Sequence, residues 1–531
     1  MNRRKFLAAA AGTATVAGLA TGFLRSHGPR SSAPVARGLP PLPPDPAFPN
    51  ALLLPGADGL LGIIDAGGSL AIVAKPIVHA LLPGKPTRML AFETDTQGRL
   101  FHNPVLRVRT GTRMRVSFLN ALEEPSIIHW HGLKVDSNND GHPHYAVPGG
   151  AVYDYQFTVP NRAAMYWYHP HPHHRTGTQV YLGLAGCFLV EDDEELALQR
   201  ALDLALGATD VPLVIQDRRF DPDGRLVFAD GASERFLGRY GTEVLVNFTP
   251  RPYFDVTSRV YRFRILNGSN ARLYRLAFRH GDALVDFTLI GTDGGLLDRP
   301  RAIREAFLAP GERIDVLLDL RAASRGDAVT LTSLAFDPMH PERPHAGGGQ
   351  DAHDALPDGA EIELMRIRVE QKTLYDRAVP HALSRIEPAA ASPYSPRLIV
   401  LDQAQGRWRI NGLTYDVAAT PIAVKRDSVE AWDFRNVRPT MPHPMHIHGF
   451  QFRVVSRTGS PEQQRRLAVD SSGLAATDLG WKDTVLVWPG ETVRIVTDFS
   501  HPFLGDQVYM IHCHNLDHED GGMMLNLRVA A

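Results

Sequence analysis

The chain has 531 residues, which is long enough for about three domains of typical size. Its 56 basic and 58 acidic residues nearly balance, so the charge argues against a nucleic-acid or other polyanionic partner. The 40 prolines and 46 glycines are typical of a turn-rich β protein, and two cysteines exclude a disulfide framework.

The N-terminus predicts export. Residues 1–24 contain Arg3-Arg4 followed by a weakly apolar run of alanine and glycine, a pattern that resembles a twin-arginine signal. An uncleaved anchor is the alternative, but the run is short and alanine-rich for a membrane span. We therefore expect a periplasmic or extracellular protein with no stable membrane association once the leader is removed.

The rest of the chain predicts β-structure. Apolar and polar residues alternate over 105–109, 112–118 and 260–266, which is the period of a strand with one buried face. Helical periodicity is scarce, and residues 193–206 are the best candidate for a helix. Periodicity alone therefore indicates an all-β fold, either sandwich or barrel.

Four of the His-x-His pairs along the chain are candidate metal ligands. Side chains two residues apart in a strand project from the same face, so both imidazoles of a pair emerge together. One such pair is a weak signal, whereas four pairs predict a metal cluster. The pairs are His129/His131, His169/His171, His446/His448 and His512/His514.

The fourth pair encloses a cysteine. In a strand, Cys513 would face away from His512 and His514, so one strand would hold ligands of two metal centres. A cysteine thiolate, imidazoles and a weak axial thioether are the ligands of a mononuclear blue-copper site. His518 and His443 supply the imidazoles, and Met523 supplies the thioether, with Met524 as the alternative.

These motifs resemble the multicopper oxidase family. The matching stretches are HWHG (129–132), WYHPH (167–171), HPMHIHG (443–449) and HCHNLDHEDGGM (512–523), in the family's order. The resemblance implies an all-β fold of three cupredoxin-like Greek-key β-sandwich domains. The predicted segments are a twin-arginine signal and leader (1–36), an N-terminal extension (37–87), domain 1 (88–192), domain 2 (193–372), a linker (373–392) and domain 3 (393–531).

The resemblance also implies four copper ions with assigned ligands. From the residues alone, we expect only that the eight paired histidines converge between domains 1 and 3, which supply half each. By resemblance, His443, Cys513, His518 and Met523 bind the type 1 copper; His129 and His446 bind the type 2 copper; His131, His169 and His514 bind one type 3 copper, and His171, His448 and His512 the other.

Reduction of dioxygen consumes protons, and Asp140 and Glu519 match family positions that supply them. The alternatives are a turn-forming Asp140 in NNDG and an exposed Glu519. Asp483 in WKDT is a candidate hydrogen-bond partner of a ligand imidazole. Other histidines are predicted to be neighbours or surface residues rather than ligands: His142, His144, His173, His174 and His501, with His340, His345 and His353 in the loop 336–359, for which an accessory metal site is the alternative.

The predicted function is a copper-dependent, laccase-like oxidase, expected to be a monomer. Phenolic or similar aromatic reductants would give up single electrons at the type 1 copper, and dioxygen would become water at the trinuclear cluster. The alternatives are a cuprous or metal-ion oxidase in copper tolerance, a bilirubin oxidase, and a copper-binding or scaffold protein without turnover. We favour phenols over cuprous ion because the chain lacks the methionine-rich insertion of cuprous-ion oxidases, and a preference for phenols would point to an organic pocket beside His443.

Overall fold

The computed structural model describes residues 40–340, 356–387 and 395–531. Residues 40–44 have no regular secondary structure, and the described residues from 45 onward form one compact unit. Within these described residues the strands make six sheets, so the prediction of an all-β fold is confirmed. None of the helices in the described ranges has the length and apolar character needed to cross a membrane.

Two sheets close around the first hydrophobic core. The six-stranded sheet has the order β10-β8-β4-β5-β6-β2 and the five-stranded sheet the order β3-β7-β12-β11-β9, while β1 pairs elsewhere. Their strands are β1 (Asn50–Ala51), β2 (Gly59–Leu60), β3 (Ile63–Asp65), β4 (Gly68–Leu82), β5 (Lys85–Thr96), β6 (Arg99–His102), β7 (Val105–Arg109), β8 (Arg113–Asn120), β9 (Ile128–His131), β10 (Val152–Thr158), β11 (Ala164–Pro170) and β12 (Gly186–Glu191). Inward side chains of both sheets, such as Phe118 and Phe188, fill this core.

The first sandwich includes chain that the sequence assigned to an extension. Strand β4 pairs in parallel with β8, and β5 pairs with β4, although β4 lies wholly within residues 37–87. Hydrogen bonding across these strands is long-range, so composition did not reveal it. The predicted boundary at residue 88 therefore cuts through the six-stranded sheet, and we propose that the sandwich begins near residue 59.

Two seven-stranded sheets form the middle sandwich around the largest apolar cluster. One has the order β1-β16-β25-β24-β18-β19, with β22 paired to β18, and the other the order β15-β14-β13-β17-β23-β20-β21. The strands are β13 (Asp210–Arg218), β14 (Glu243–Val246), β15 (Thr249–Pro250), β16 (Pro252–Thr257), β17 (Val260–Asn267), β18 (Tyr274–His280), β19 (Ala283–Val285), β20 (Phe287–Thr292), β21 (Gly295–Ile303), β22 (Glu305–Leu308), β23 (Arg313–Asp319), β24 (Ala328–Ser333) and β25 (Ile362–Gln371).

The third sandwich consists of two five-stranded sheets. Their orders are β27-β26-β29-β33-β31 and β28-β35-β34-β30-β32, and residues of both sheets share one core. The strands are β26 (Arg397–Ala404), β27 (Arg407–Ile410), β28 (Ile422–Lys425), β29 (Val429–Asn436), β30 (His443–Ile447), β31 (Phe452–Thr458), β32 (Thr484–Val487), β33 (Thr492–Asp498), β34 (Gln507–Cys513) and β35 (Met524–Ala530).

The α-helices of the described ranges are short. They are α1 (Thr176–Tyr181), α2 (Asp193–Leu202), α3 (Ala232–Leu237), α4 (Glu462–Arg465) and α5 (Leu516–Asp520). The predicted helix over 193–206 is confirmed as α2. The Asp192 carboxylate accepts the Glu195 N–H at 2.9 Å and caps its start. The helix ends earlier than predicted because Asp203 adopts a left-handed conformation, with φ of 50°.

Strand pairing places the four histidine pairs. Strands β9 and β11 are neighbours with His129 directly opposite His169, and β30 and β34 are neighbours with His446 directly opposite His512. The first and third sandwiches therefore each present two adjacent His-x-His pairs from one sheet. The candidate site lies where these two surfaces meet.

Candidate metal centre

Cys513, His443 and His518 form one cluster within the third sandwich. The Cys513 Sγ lies 3.5 Å from His443 Nδ1 and 3.6 Å from His518 Nδ1. Strand β34 ends at Cys513, the neighbouring β30 begins at His443, and α5 carries His518. All three side chains are buried, so a sulfur and two imidazole nitrogens converge away from water.

Met523 is held next to this cluster by its backbone. Its N–H donates to the His518 carbonyl at 2.8 Å, and its carbonyl accepts the Cys513 N–H at 3.0 Å. Its side chain is buried in the same core cluster as Cys513. Met524 instead lies directly opposite His512 and shares the face of that residue. The backbone therefore favours Met523 over Met524 as the fourth group.

Burial sets the protonation of these groups. It raises the pKa of the Cys513 thiol well above its ordinary value. It lowers the pKa of His443, and it lowers that of His518 to about 3. Both imidazoles are therefore neutral at physiological pH, which is the form that binds metals. A metal ion must displace the thiol proton, so its binding releases acid.

The eight paired histidines lie close together and are fully buried. The His131 and His446 rings stack with centroids 3.8 Å apart, and the His129 and His448 rings also lie 3.8 Å apart, so each contact joins the first and third sandwiches. Three sets have ligand atoms within 4.8 Å of one another: His129, His131 and His446; His131, His169 and His514; and His171, His448 and His512. The last two coincide with the type 3 groups that the resemblance implies.

One nitrogen of most rings has a partner and the other does not. Nδ1 of His129 donates to the Asp140 carbonyl at 2.7 Å, and Nδ1 of His446 donates to the Asp483 carbonyl at 2.8 Å. Their Nε2 atoms, like Nε2 of His169, have no hydrogen-bond partner among the described residues. Buried nitrogens without partners are costly, and a shared metal site explains them.

Three carboxylates contact the histidines from outside. Asp140 Oδ2 accepts His448 Nδ1 at 2.7 Å, and burial raises the pKa of Asp140. The two Glu519 oxygens lie 3.4 Å from His171 Nε2 and 3.2 Å from His512 Nδ1. Burial opposes ionisation of Glu519, but these two imidazoles lower its pKa to about 2. Glu519 is therefore buried rather than exposed.

Asp483 connects the histidines to the middle sandwich. Its Oδ1 accepts His131 Nε2 at 3.0 Å, which leaves Nδ1 of His131 free to face the cluster. Both Asp483 oxygens also accept bonds from the buried guanidinium of Arg313, at 2.7 and 2.6 Å. The other N–H groups of Arg313 donate to the carbonyls of Met165, Gly311 and Asp293. Arg313 therefore binds all three sandwiches at the edge of the histidine cluster.

A surface cavity of about 450 Å³ lies beside His518. Its wall includes Trp408, whose ring centroid is 4.9 Å from that of His443 and 5.2 Å from that of His518. The Phe236 carbonyl, at the end of α3, accepts both His518 Nε2 at 2.9 Å and Trp408 Nε1 at 2.6 Å. The cavity wall includes His518 but not His443, whose ring packs against Trp408.

Comparisons with known proteins agree with this geometry. Two family models described as multicopper oxidase match residues 93–195 and 390–531. A multicopper oxidase of Staphylococcus aureus is 30% identical over 430 residues, covering 80% of this chain and 81% of the relative. The chain belongs to the multicopper oxidase family. A laccase of Bacillus stratosphericus is 30% identical over 507 residues, covering 84% of this chain and 91% of the laccase.

The solved structures also establish the architecture of the oxidase. The McoA multicopper oxidase of Aquifex aeolicus is 41% identical, with a TM-score of 0.81 over 91% of this chain and 99% of that one. The predicted cupredoxin-like β-sandwich fold is therefore confirmed. The family implies copper, and the donors fit it: thiol, imidazole and thioether at one cluster, imidazoles alone at the other.

The remaining predicted neighbours lie outside both clusters. His142 Nε2 bonds the Asn526 side chain at 2.9 Å, His173 and His174 stack on each other, and His501 stacks on Phe503. His340 pairs with Asp358 at 3.1 Å. His144 packs on Tyr145, and His345 and His353 lie outside the described residues.

Sequence reasoning missed the roles of Trp408, Phe236 and Arg313. A signal existed only for Arg313, because it opens a strand rich in apolar residues (RIDVLLD), and a charge at such a position needs a buried partner. Trp408 and Phe236 are far apart in the sequence, and no local sequence pattern predicts that they are in contact in the fold. The oxidase therefore uses its middle sandwich at both clusters, although the sequence assigns no ligand to it.

Proposed function

We propose that this oxidase is laccase-like and takes single electrons from phenolic or related aromatic reductants to reduce dioxygen to water. The observation that carries the proposal is the segment His512–Cys513–His514, which joins the thiol cluster directly to the eight-histidine cluster. When bound, copper would accept electrons at the first cluster and reduce dioxygen at the second.

The protein part of the electron path is short. Cys513 is covalently bonded to both His512 and His514, whose rings face the other cluster. The Cys513 carbonyl also accepts a hydrogen bond from His512 Nδ1 at 3.1 Å, which adds a second route to the same imidazole. An electron that enters at the Cys513 thiol can therefore reach the histidine cluster by two covalent routes, through His512 and His514, and by one hydrogen-bonded route to His512.

We assign proton supply to Asp140 and Glu519. Four protons are consumed for each dioxygen, and imidazoles that bind metal cannot provide them. Glu519 lies against His171 and His512, and Asp140 against His448, so both carboxyls border the eight-histidine cluster. The second Asp140 oxygen has no hydrogen-bond partner in the described part of the chain, which leaves it free for water.

The cavity beside His518 supports an organic reductant. Aromatic side chains of Trp408 and Phe236 line it, and an aromatic ring packs well on such a surface. Met441 and Met445, which flank His443 in sequence, are buried in the core and are not part of the cavity wall. A soft metal ion would therefore not meet these thioethers at the surface.

The test is oxygen uptake by the copper-loaded protein, with a methoxyphenol and cuprous ion compared side by side. Faster uptake with the phenol is expected. Faster uptake with cuprous ion would contradict the proposal and indicate a metallo-oxidase. Full copper loading without uptake from any reductant would indicate a copper-binding or scaffold protein.

We further propose four copper ions per chain, a monomeric protein and export by the twin-arginine route. Metal analysis should give four coppers per chain, and sedimentation should give the mass of one chain. The signal lies outside the described residues. Replacing Arg3 and Arg4 by lysine should retain the protein in the cytoplasm, and unchanged export would reject this route.

A further inference from the structure

The cavity beside His518 carries positive charge at its rim. We propose that it selects aromatic reductants that bear a carboxylate or another anionic group, bound by Arg407 and Arg235. This inference rests on the proposed function, because it specifies which phenols reach the thiol cluster.

The aromatic part of the reductant has a defined surface. Phe236 and Trp408 stack with ring centroids 4.6 Å apart and an interplanar angle of 21°. Trp408 in turn contacts both imidazoles of the thiol cluster. A phenol packed against Trp408 and the edge of His518 would thus lie next to the electron acceptor.

Arg407 is fixed in place by a tight turn. Strands β26 and β27 form a hairpin in which Ala404 pairs with Arg407, and the two residues between them, Gln405 and Gly406, have φ of 53° and 72°. Such a turn matches the twist of the strands and sets the backbone position of Arg407. The exposed Arg407 guanidinium forms no ion pair with any described carboxylate, so it is available to a ligand.

Arg235, on α3, provides a second cation at the same cavity. It pairs with Asp230 at 3.1 Å, but the two side chains are 62% and 60% exposed. Exposed pairs contribute little free energy, so the guanidinium can also bind an incoming anion. Arg235 belongs to the middle sandwich and Arg407 to the third, and both line the same cavity as the aromatic rings of Phe236 and Trp408.

The acidic groups nearby are already occupied. Both Asp520 oxygens accept backbone N–H groups, from Thr176 at 3.0 Å and Gly177 at 2.9 Å. Asp517 is buried and accepts the Arg239 guanidinium and backbone N–H. The charge available to a ligand at the rim is therefore positive, which favours an anionic phenol over a metal cation.

The chemistry balances with dioxygen as the oxidant. Each phenol loses one electron and its phenolic proton and leaves as a phenoxyl radical. Four phenols supply four electrons and four protons, and dioxygen leaves as two water molecules. The carboxylate takes no part in the reaction and serves only to hold the ring in the cavity.

The test compares 4-hydroxy-3-methoxyphenylacetate with its methyl ester in the copper-loaded protein. The methylene group insulates the phenol from the carboxylate, so the two substrates differ mainly in charge. Arg407→Gln should lower kcat/KM for the acid by up to about fivefold, the effect of one exposed charge pair, and should affect the ester much less. Arg235→Gln should act in the same direction, and added salt should reduce the preference for the acid.

A matched control exists in the first sandwich. Arg99 follows the turn Gln97-Gly98, with φ of 54° and 75°, in the same Gln-Gly-Arg hairpin sequence, but is not among the residues that line the cavity. Arg99→Gln should leave the acid-to-ester ratio unchanged. An equal shift in Arg99→Gln, or no shift in Arg407→Gln, would overturn the proposal.

Binding of 3,4-dimethoxyphenylacetate, which has no phenolic hydroxyl, tests the anion-binding cavity separately from the proposed phenol oxidation. Calorimetry should show binding that weakens in Arg407→Gln. If this holds while no phenol is oxidised, the cavity assignment stands and the proposed function fails. If both phenols are oxidised but neither arginine affects the ratio or the binding, the function stands and the cavity assignment fails.

Discussion

Replacing Arg313 by methionine tests whether the middle sandwich organises the eight-histidine cluster. The variant keeps a long side chain but loses two charge-assisted bonds to Asp483. It also leaves three backbone carbonyls without their donor: those of Met165, Gly311 and Asp293. Removing one partner of a buried ion pair costs about 3–5 kcal/mol, so the free energy of unfolding should fall by about that amount.

The effect of Arg313→Met on copper binding should be confined to the eight-histidine cluster. In the variant, Asp483 becomes a buried carboxylate whose remaining ionisable partners are imidazoles, and its hydrogen bond to His131 loses its fixed geometry. Loss of such a supporting bond lowers metal affinity by about 10- to 100-fold. Metal analysis should therefore show fewer coppers at the histidine cluster, while the blue absorption of the Cys513 cluster persists and oxygen uptake falls.

Arg262→Met is the matched control. Arg262 is also fully buried in the middle sandwich and ion-paired, with Glu195 and Asp315, but no predicted ligand contacts it. It should lose similar stability and retain all its copper. Equal copper loss in both variants would show that Arg313 acts only through folding, and full copper with normal uptake in Arg313→Met would refute the reasoning.

Three further variants test individual contacts. Cys513→Ser should abolish the blue absorption and turnover while the histidine cluster keeps its copper; a blue variant would remove Cys513 from the metal site. Gly311→Ala should reduce copper at the histidine cluster, because a Cβ there would lie 2.9 Å from the His514 ring and φ is 84°; unchanged metal content and oxygen uptake would show that the ring can move freely. Glu519→Gln should slow reoxidation by dioxygen more than reduction of the blue site in stopped-flow measurements, and equal slowing of both would exclude its role in proton supply.

The sequence correctly predicted which side chains share a face of a strand, because that depends only on the two-residue period of the strand. The two-residue period of strands correctly places His512 and His514 together and Cys513 apart, and it places His129 beside His131. The period says nothing about which strands are neighbours. That His129 lies opposite His169 depends on long-range pairing of β9 with β11, which only the resemblance could anticipate.

Long-range packing also explains what was missed. Strand β4 looked like part of an extension because its partner β8 lies about 45 residues further along the chain. Phe236 and Trp408 are 172 residues apart in sequence, yet one hydrogen bond joins them over the thiol cluster. Contacts between sandwiches leave no periodic signal, so the cavity and its arginines could not be predicted.

The five hydrogen bonds of Arg313 limit which domains can be exchanged between enzymes of this family. A chimera that takes its middle domain from a relative would inherit all twelve predicted ligands and could still fail to load copper. The graft must also bring an arginine that reaches Asp483 and a glycine two residues before it that leaves room for His514. Compatibility at this junction, more than overall identity, should decide which domain exchanges yield an active oxidase.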